Sequence, residues 1–325
     1  MKRRVFSALA AAALALGSSA ALAQAQSFPN KPARWLVPYP AGGGSDYMAR
    51  SVSQAMQGDT PQPITVDNRP GGNGAIAVAE LMRAPRDGHT FINVDNGVMV
   101  FNPALYKSLS YDPSRDLVPV TLLGRLPMIL VASPASGITD ARDFIAKAKA
   151  QPGRLSYGSA GAGSPQHMAM ELLKKVTGTF MVHIPYRGSA PALADLAGGQ
   201  VVALMSDYAA ARPFINSGKA RPLAVAHGSR LPYLPDVPTL AELGIQGAET
   251  SAWVGVAVAA GTPPEAIQSL QKSLSAGLAQ PAATKRYRDA GIDPVNVTAQ
   301  EFQAMVKAET TRWHKLIKEQ GITLD

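Results

Sequence analysis

Three glycine-rich turns carry the residues best suited to hold a small anion. They are Pro40-Ala41-Gly42-Gly43-Gly44-Ser45-Asp46, Arg69-Pro70-Gly71-Gly72-Asn73-Gly74 and Ser159-Ala160-Gly161-Ala162-Gly163-Ser164. Each runs into a stretch whose apolar spacing predicts a helix. The first turn of a helix has N–H groups with no partner inside the helix, and the helix dipole puts its positive end there. Glycine lacks the Cβ that would hold a ligand off those amides. One such turn is commonplace. Three in one chain predict a site where backbone amides from separate loops converge on a small anion.

The side chains beside these turns each have two roles open to them. Asp46 either caps its helix or holds an ammonium group or a water. Arg69 either forks a carboxylate or pairs with Asp67. His167, in the first turn of its helix, either donates to a ligand or makes a structural hydrogen bond. Tyr186, followed by Arg187 and Gly188, offers a hydroxyl and a flat apolar face to an organic acid, or packs at a surface. Asp207 ends a predicted strand and either faces a cleft or starts a turn. Trp253 lies near a hinge or cleft, as a contact or as buried packing. Met168 and Met170 read as filling rather than function.

The sequence argues against catalysis. It has no G-x-S-x-G elbow, no G-x-x-x-x-G-K-[ST] loop and no H-E-x-x-H pair. His89, His167, His183, His227 and His314 show no metal-ligand spacing, and no paired carboxylates stand out for acid–base work. The glycine turns lack the third glycine of the G-x-G-x-x-G dinucleotide fingerprint. No catalytic residue, metal or cofactor is expected.

The N-terminus reads as an export signal. Lys2-Arg3-Arg4 precedes a short apolar core over 5–16, and Ala21-Leu22-Ala23 is a small-x-small cleavage site, with Ala23-Gln24-Ala25 a second. The core is too short to span a bilayer as a helix. The chain has no cysteine, hence no disulfide and no lipid attachment through Cys. A periplasmic protein is expected. The formal charge is +8, and removing Lys2, Arg3 and Arg4 leaves +5 on the mature chain. Its bases are scattered, without the dense runs of a nucleic-acid-binding tail. About 300 mature residues suffice for two lobes.

Short apolar runs alternate with helical patterns, which predicts α/β units. Strands are expected at 34–38, 64–66 and 90–94, with helices at 47–57 and 74–83; Ser45 or Asp46 would cap the first helix. The apolar stretch 118–133, broken by Gly124-Arg125 and Pro127, is long for one strand and suits a crossing between lobes. Further helices are expected at 139–150, 190–197, 264–279 and 299–319, with strands at 155–158, 182–184, 201–205, 222–226 and a return crossing at 251–259. Ser164 and Pro165 predict the N-cap and first residue of another helix.

Taken in order, these residues resemble the Bug family, the extracytoplasmic solute receptors of tripartite tricarboxylate transporters. The resemblance runs from Phe28 to the C-terminus. It rests on Val37-Pro38-Tyr39-Pro40-Ala41-Gly42-Gly43 with Asp46 and Arg50, Asn68-Arg69-Pro70-Gly71 with Gly74, Asp87-Gly88-His89-Thr90, Asn102-Pro103-Ala104-Leu105-Tyr106 and Tyr111-Asp112-Pro113. In the second half it rests on Tyr157-Gly158-Ser159-Ala160-Gly161 with Gly163, Ser164 and His167, Pro185-Tyr186-Arg187-Gly188, Asp236-Val237-Pro238-Thr239-Leu240 and Gly261-Thr262-Pro263.

The resemblance implies an α/β, two-lobe class II periplasmic binding protein fold with two crossover strands forming a hinge. Residues 1–23 would be the signal peptide, 27–124 with 253–325 the first lobe, and 125–252 the second. It implies a monomer that closes on a small carboxylated solute and delivers it to a membrane permease of the tripartite tricarboxylate type. The first-lobe grip would be Tyr39, Pro40, Ala41, Gly42, Gly43, Gly44, Ser45 and Asp46, with Arg69, Gly71, Gly72, Asn73 and Gly74. The second-lobe grip would be Ser159, Ala160, Gly161, Gly163, Ser164, His167, Tyr186, Arg187 and Gly188, with Asp207. Gly44 departs from the family's usual hydroxyl residue, and Asn73 from its usual glycine. An inorganic oxyanion receptor, a sensory or scavenging binder without a permease, and a secreted hydrolase are the alternatives.

Overall fold

The computed structural model describes residues 28–57 and 62–324; the expected signal segment lies outside them. The chain opens with β1 (Ala33–Val37), α1 (Gly44–Met56), β2 (Ile64–Asn68), α2 (Ala75–Arg83) and β3 (Thr90–Asp95). The three strands pair in parallel, with β1 between β2 and β3. The helix α1 buries Met48, Ala49, Val52 and Met56, the helical spacing that fastens one face to the sheet. A π-helical turn (Gly97–Phe101) and a four-residue helix (Asn102–Leu105) follow β3. The sequence reading missed both, because a uniformly apolar run such as Val98 to Phe101 has no period to read.

The strand β4 (Leu117–Ala132) is the long crossing. Its first part pairs antiparallel with a strand late in the chain, and its last five residues pair with two strands of the second lobe. The register slips between Pro119 and Thr121 and again between Leu122 and Gly124. Bulges of this kind let a strand carry proline, which cannot donate to a ladder.

The second lobe is built from α3 (Ala141–Ala150), β5 (Ser156–Ser159), α4 (Pro165–Thr177), β6 (Val182–Pro185), α5 (Ser189–Ala197), β7 (Ala203–Asp207), α6 (Tyr208–Asn216) and β8 (Arg221–Val225). The chain returns through β9 (Ser251–Ala259) and ends with α7 (Pro264–Ala279), α8 (Pro281–Asp289), β10 (Asp293–Pro294) and α9 (Ala299–Gln320). The strand path is β2–β1–β3–β9–β4–β7–β5–β6, with β8 and β10 also on β4. Both lobes therefore hang on β4, in the expected two-lobe α/β architecture. The return crossing is light: Thr250 N–H donates to the Ala226 carbonyl just before β9 joins the first lobe.

The sheet of the first lobe is buried on both faces. Trp35 packs with Met48 and Leu270 on one side, and Leu36 packs in the cluster of Val78 and Trp313 on the other. Trp35 also donates to Asn93 Oδ1 at 2.7 Å, which satisfies two buried polar groups at once. A Cβ on Gly255 would lie 2.4 Å from the Phe302 ring, so glycine lets α9 sit directly on β9.

Candidate ligand-binding cleft

The C-terminal ends of β1 and β3 meet the C-terminal ends of β5 and β7 across the gap between the lobes. Loops at strand ends of this type form the ligand crevice of open α/β sheets. Two neighbouring chambers lie there. The inner one, about 40 Å³, is lined by Tyr39, Pro40, Gly43, Gly44 and Ser45 of the first lobe and by Ala160, Gly188 and Asp207 of the second. The outer one, about 620 Å³, is lined by Gly71, Gly72 and Asn73 facing Ala160, Gly161, Tyr186, Arg187 and Gly188. Tyr39, Pro40, Ala160 and Gly188 border both.

The first turn differs from its expected form. The helix α1 starts at Gly44, with Gly43 as its N-cap and no capping side chain. Asp46 turns back instead. Its carboxylate accepts from Gly42 N–H at 3.1 Å, from Arg50 Nε at 2.9 Å and from Asn68 Nδ2 at 2.9 Å. Those bonds fix the turn from behind, and Asp46 borders neither chamber. The amides of Gly43, Gly44 and Ser45 are left without a protein acceptor among the described residues.

The second turn is held by its odd residue. Asn73 is the one non-glycine residue with positive φ among the described residues, at φ 45°. Asparagine tolerates that conformation better than most side chains. Its Oδ1 accepts from the Tyr39 hydroxyl at 3.2 Å and its Nδ2 donates to Asn102 Oδ1 at 2.6 Å. Asn102 donates in turn to the Asn73 carbonyl and to Tyr111, whose hydroxyl donates to the Val98 carbonyl. A Cβ on Gly163 of the second lobe would lie 2.8 Å from Asn73 Nδ2. Arg69 points away: it grips its neighbour Asp67 with Nε at 3.0 Å, outside both chambers. Gly74 is buried under Val98.

The third turn is braced by two neutral histidines. Ser164 caps α4, accepting from His167 N–H, as its place before Pro165 predicts. Gly163 N–H donates to His167 Nδ1 at 3.1 Å. Ser159 Oγ is 2.7 Å from His183 Nε2 and bonds both the N–H and the carbonyl of Gly161. The two imidazoles stack at 3.9 Å. Burial lowers the pKa of His167 to about 4 and that of His183 to about 3. Ser159, Gly163, Ser164 and His167 therefore form the turn without bordering either chamber, as do Ala41 and Gly42 in the first turn. The glycine amides are also partly committed: Gly42, Gly74, Gly161, Gly163 and Gly188 each donate within the protein.

Tyr186 gives its ring to the outer chamber, while its hydroxyl donates to Asp195 at 2.8 Å. Burial and that acid raise its pKa to about 12. Arg187, exposed, has no acidic partner among the described residues. Asp207 caps α6, accepting from Ala210 N–H at 3.0 Å, and also receives Gln166 Nε2 at 3.4 Å. It is buried, and desolvation raises its pKa.

Asp95 is the chief lining residue that sequence reasoning missed. It ends β3, is 4% exposed, and borders the inner chamber. Its Oδ1 accepts from Val98 N–H at 2.9 Å, and burial raises its pKa to about 6. Trp253, Ser189 and Gln166 border the same chamber. The position of Asp95 at a strand's C-terminal end was the available signal.

Two α/β lobes sharing one crossing strand, with a cleft of glycine turns between them, define a periplasmic binding protein fold. The sequence pattern of the tripartite tricarboxylate transporter family receptors matches residues 48–322, and the chain belongs to that family. It is similar to the UPF0065 protein in the tcbD-tcbE intergenic region of Pseudomonas sp. (strain P51), 37% identical over 98% of this chain and 94% of the relative. Among solved structures, Rpa4515 of R. palustris with adipate is 36% identical, with a TM-score of 0.88 over 91% of this chain and all of that one (100%). MatC (Rpa3494) from Rhodopseudomonas palustris with bound malate is 30% identical, with a TM-score of 0.84 over 89% of this chain and 100% of that one. The family consists of solute-binding receptors and not of enzymes. Among the described residues no helix is long and apolar enough to cross a membrane.

Proposed function

We propose that this protein is a periplasmic receptor that closes its lobes on one small organic carboxylate and hands it, as a monomer, to a membrane permease of the tripartite tricarboxylate type. The carrying observation is the outer chamber, where Arg187 and turns from both lobes meet with no acidic residue among the lining. An anion there gains an unpaired guanidinium and glycine backbone that no Cβ keeps at a distance. Adipate and malate in two relatives support the same class of solute.

Binding works by selection of the closed form. Open and closed lobes exchange by bending at β4 and at 226–251, and the solute binds the closed arrangement better because only there do both sets of turns touch it. The Asp46, Asn73 and His167 bonds keep the turns in shape beforehand, so little ordering is left for the binding step. No cofactor takes part.

The test is a melting and calorimetry panel of adipate, malate, succinate and dimethyl succinate. An acid at a hundredfold excess over its Kd adds about 2.7 kcal/mol to stability. The diester should add none. An equal response to diester and acid would sink the anion reading. Uptake of the bound acid into vesicles carrying the permease, with and without the receptor, tests delivery.

A further inference from the structure

The third glycine turn has two faces. Ala160 and Gly161 line the outer chamber, whereas Gly163 is set against the first lobe. A Cβ on Gly163 would lie 2.8 Å from Asn73 Nδ2, 3.0 Å from Leu105 Cδ1 and 3.1 Å from Leu324 Cδ1. Those three residues belong to separate segments of the first lobe, and together they form a socket that glycine alone enters this deeply. The turn is stiff enough to transmit the grip. Ser164 N–H donates to the Gly161 carbonyl at 3.1 Å, and Ser159 Oγ bonds both the N–H and the carbonyl of Gly161. Where Gly163 is held, Gly161 is held at the chamber wall.

Leu324 reaches this socket by a reversal of the chain. The helix α9 ends at Gly321 in the left-handed conformation, with φ 60°. Gly321 N–H donates to the Lys318 carbonyl and Ile322 N–H to the Ile317 carbonyl, which closes the helix end. The tail then runs back, and Leu324 N–H donates to the Leu105 carbonyl at 2.9 Å. That bond pins Leu324 beside its socket partner. Ile322 and Leu324 are half-buried at the edge of the apolar cluster of Trp313, Leu316 and Ile317, which also holds Met168 and Leu172 of the second lobe's α4. Beyond them Lys175 of α4 pairs with Glu319 of α9. The third turn and the helix it starts are therefore both set against the C-terminal end of the first lobe.

We propose that Leu324 is a positioning residue of the solute site: the C-terminal tail is a clasp that receives the third turn when the lobes close. Leu324 borders neither chamber and acts through Gly163. This rests on the lobe-closing receptor reading above and names a contact that holds the closed form. The clasp engages only with the lobes together, so it raises solute affinity without touching solute.

Two substitutions test it. Leu324→Ala removes the apolar contact but keeps the backbone bond to Leu105, and Leu324→Met restores the bulk with an adaptable side chain. Calorimetry with adipate and with malate gives the affinities, and thermal melts of the solute-free proteins give their stability. Leu324→Ala should bind the acid about tenfold more weakly than the wild type, and Leu324→Met within about twofold of it. The solute-free melting temperatures should agree, because the open form does not use the clasp. A residue that merely packs its own lobe would give the reverse pattern, a lower melting temperature with affinity unchanged. Equal affinity in wild type and Leu324→Ala, or a loss that methionine does not restore, overturns the clasp and leaves the receptor reading standing. Binding of neither acid to the wild type overturns both.

Discussion

A Cβ placed on Gly44 would lie 3.0 Å from Asp207 Oδ1 and 2.4 Å from Leu126 Cδ2. Gly44 belongs to the first lobe and Asp207 to the second, so this glycine is shaped by the lobe it closes against. The hydroxyl residue expected there from the family pattern has no room. Gly44→Ser should therefore act on closure. Overpacking of this kind costs about 1–3 kcal/mol, so solute affinity should fall about tenfold while the unliganded melting temperature barely changes. Calorimetry beside thermal melts decides it, and unchanged affinity would mean that the lobes do not close this far.

Arg187→Gln should weaken carboxylate binding by about tenfold or more and flatten its dependence on salt, because the screened charge pair is gone. Titrations at low and high ionic strength measure both effects. Equal salt slopes in the two proteins would remove Arg187 from the anion's surroundings.

Asp95 is a burden on the folded state that grows with pH. Its pKa rises from 3.8 to about 6 on burial, so between these values the folded protein holds a proton that the unfolded chain releases. The native state thus loses stability from this group as pH climbs from 3.8 through 6. Asp95→Asn should be more stable than the wild type at pH 8, by at most about 3 kcal/mol, and the gap should close near pH 4. Urea unfolding at both pH values measures the gap, and one that widened on acidification would contradict the burial argument.

The histidine brace has the opposite sign. His167 and His183 are neutral in the fold, with pKa values lowered from 6.5 to about 4 and about 3. Below pH 6.5 the unfolded chain takes up protons that the folded one refuses, so their contribution is fully present above 6.5 and drains away as pH falls toward 4. Protonation of Nδ1 in His167 also ends its bond from Gly163. His167→Asn, which can still accept that bond but does not titrate, should show a shallower loss of stability between pH 6.5 and 4. Parallel melting curves across that range would show that the brace does not titrate.

Local rules made some elements readable. Ser164-Pro165 announced the start of α4, and the apolar run before Gly261-Thr262 gave β9 its bounds. Asp46 and Arg69 were harder, because each stands near both a turn and an alternative partner. The structure shows that Asp46 does not cap its helix but is held by Gly42, Arg50 and Asn68, whereas Arg69 takes its alternative partner Asp67. Nothing local marks Asp95 as special. It reaches the inner chamber only because β3 ends where β7 ends, a relation set by strand order through β9 and β4. The helix α6 was missed because Pro213 lies inside it, a residue that normally argues against a helix.

The place of β9 also governs when the molecule can fold. It lies between β3 and β4, yet it is made long after both. Until residue 259 is available, β3 has an open edge and the first half of β4 has nothing to pair with. Contacts this distant along the chain form slowly. A newly made chain therefore stays unfinished for most of its synthesis. Under the periplasmic reading proposed above, that lateness would leave the sheet open until the chain has crossed the membrane.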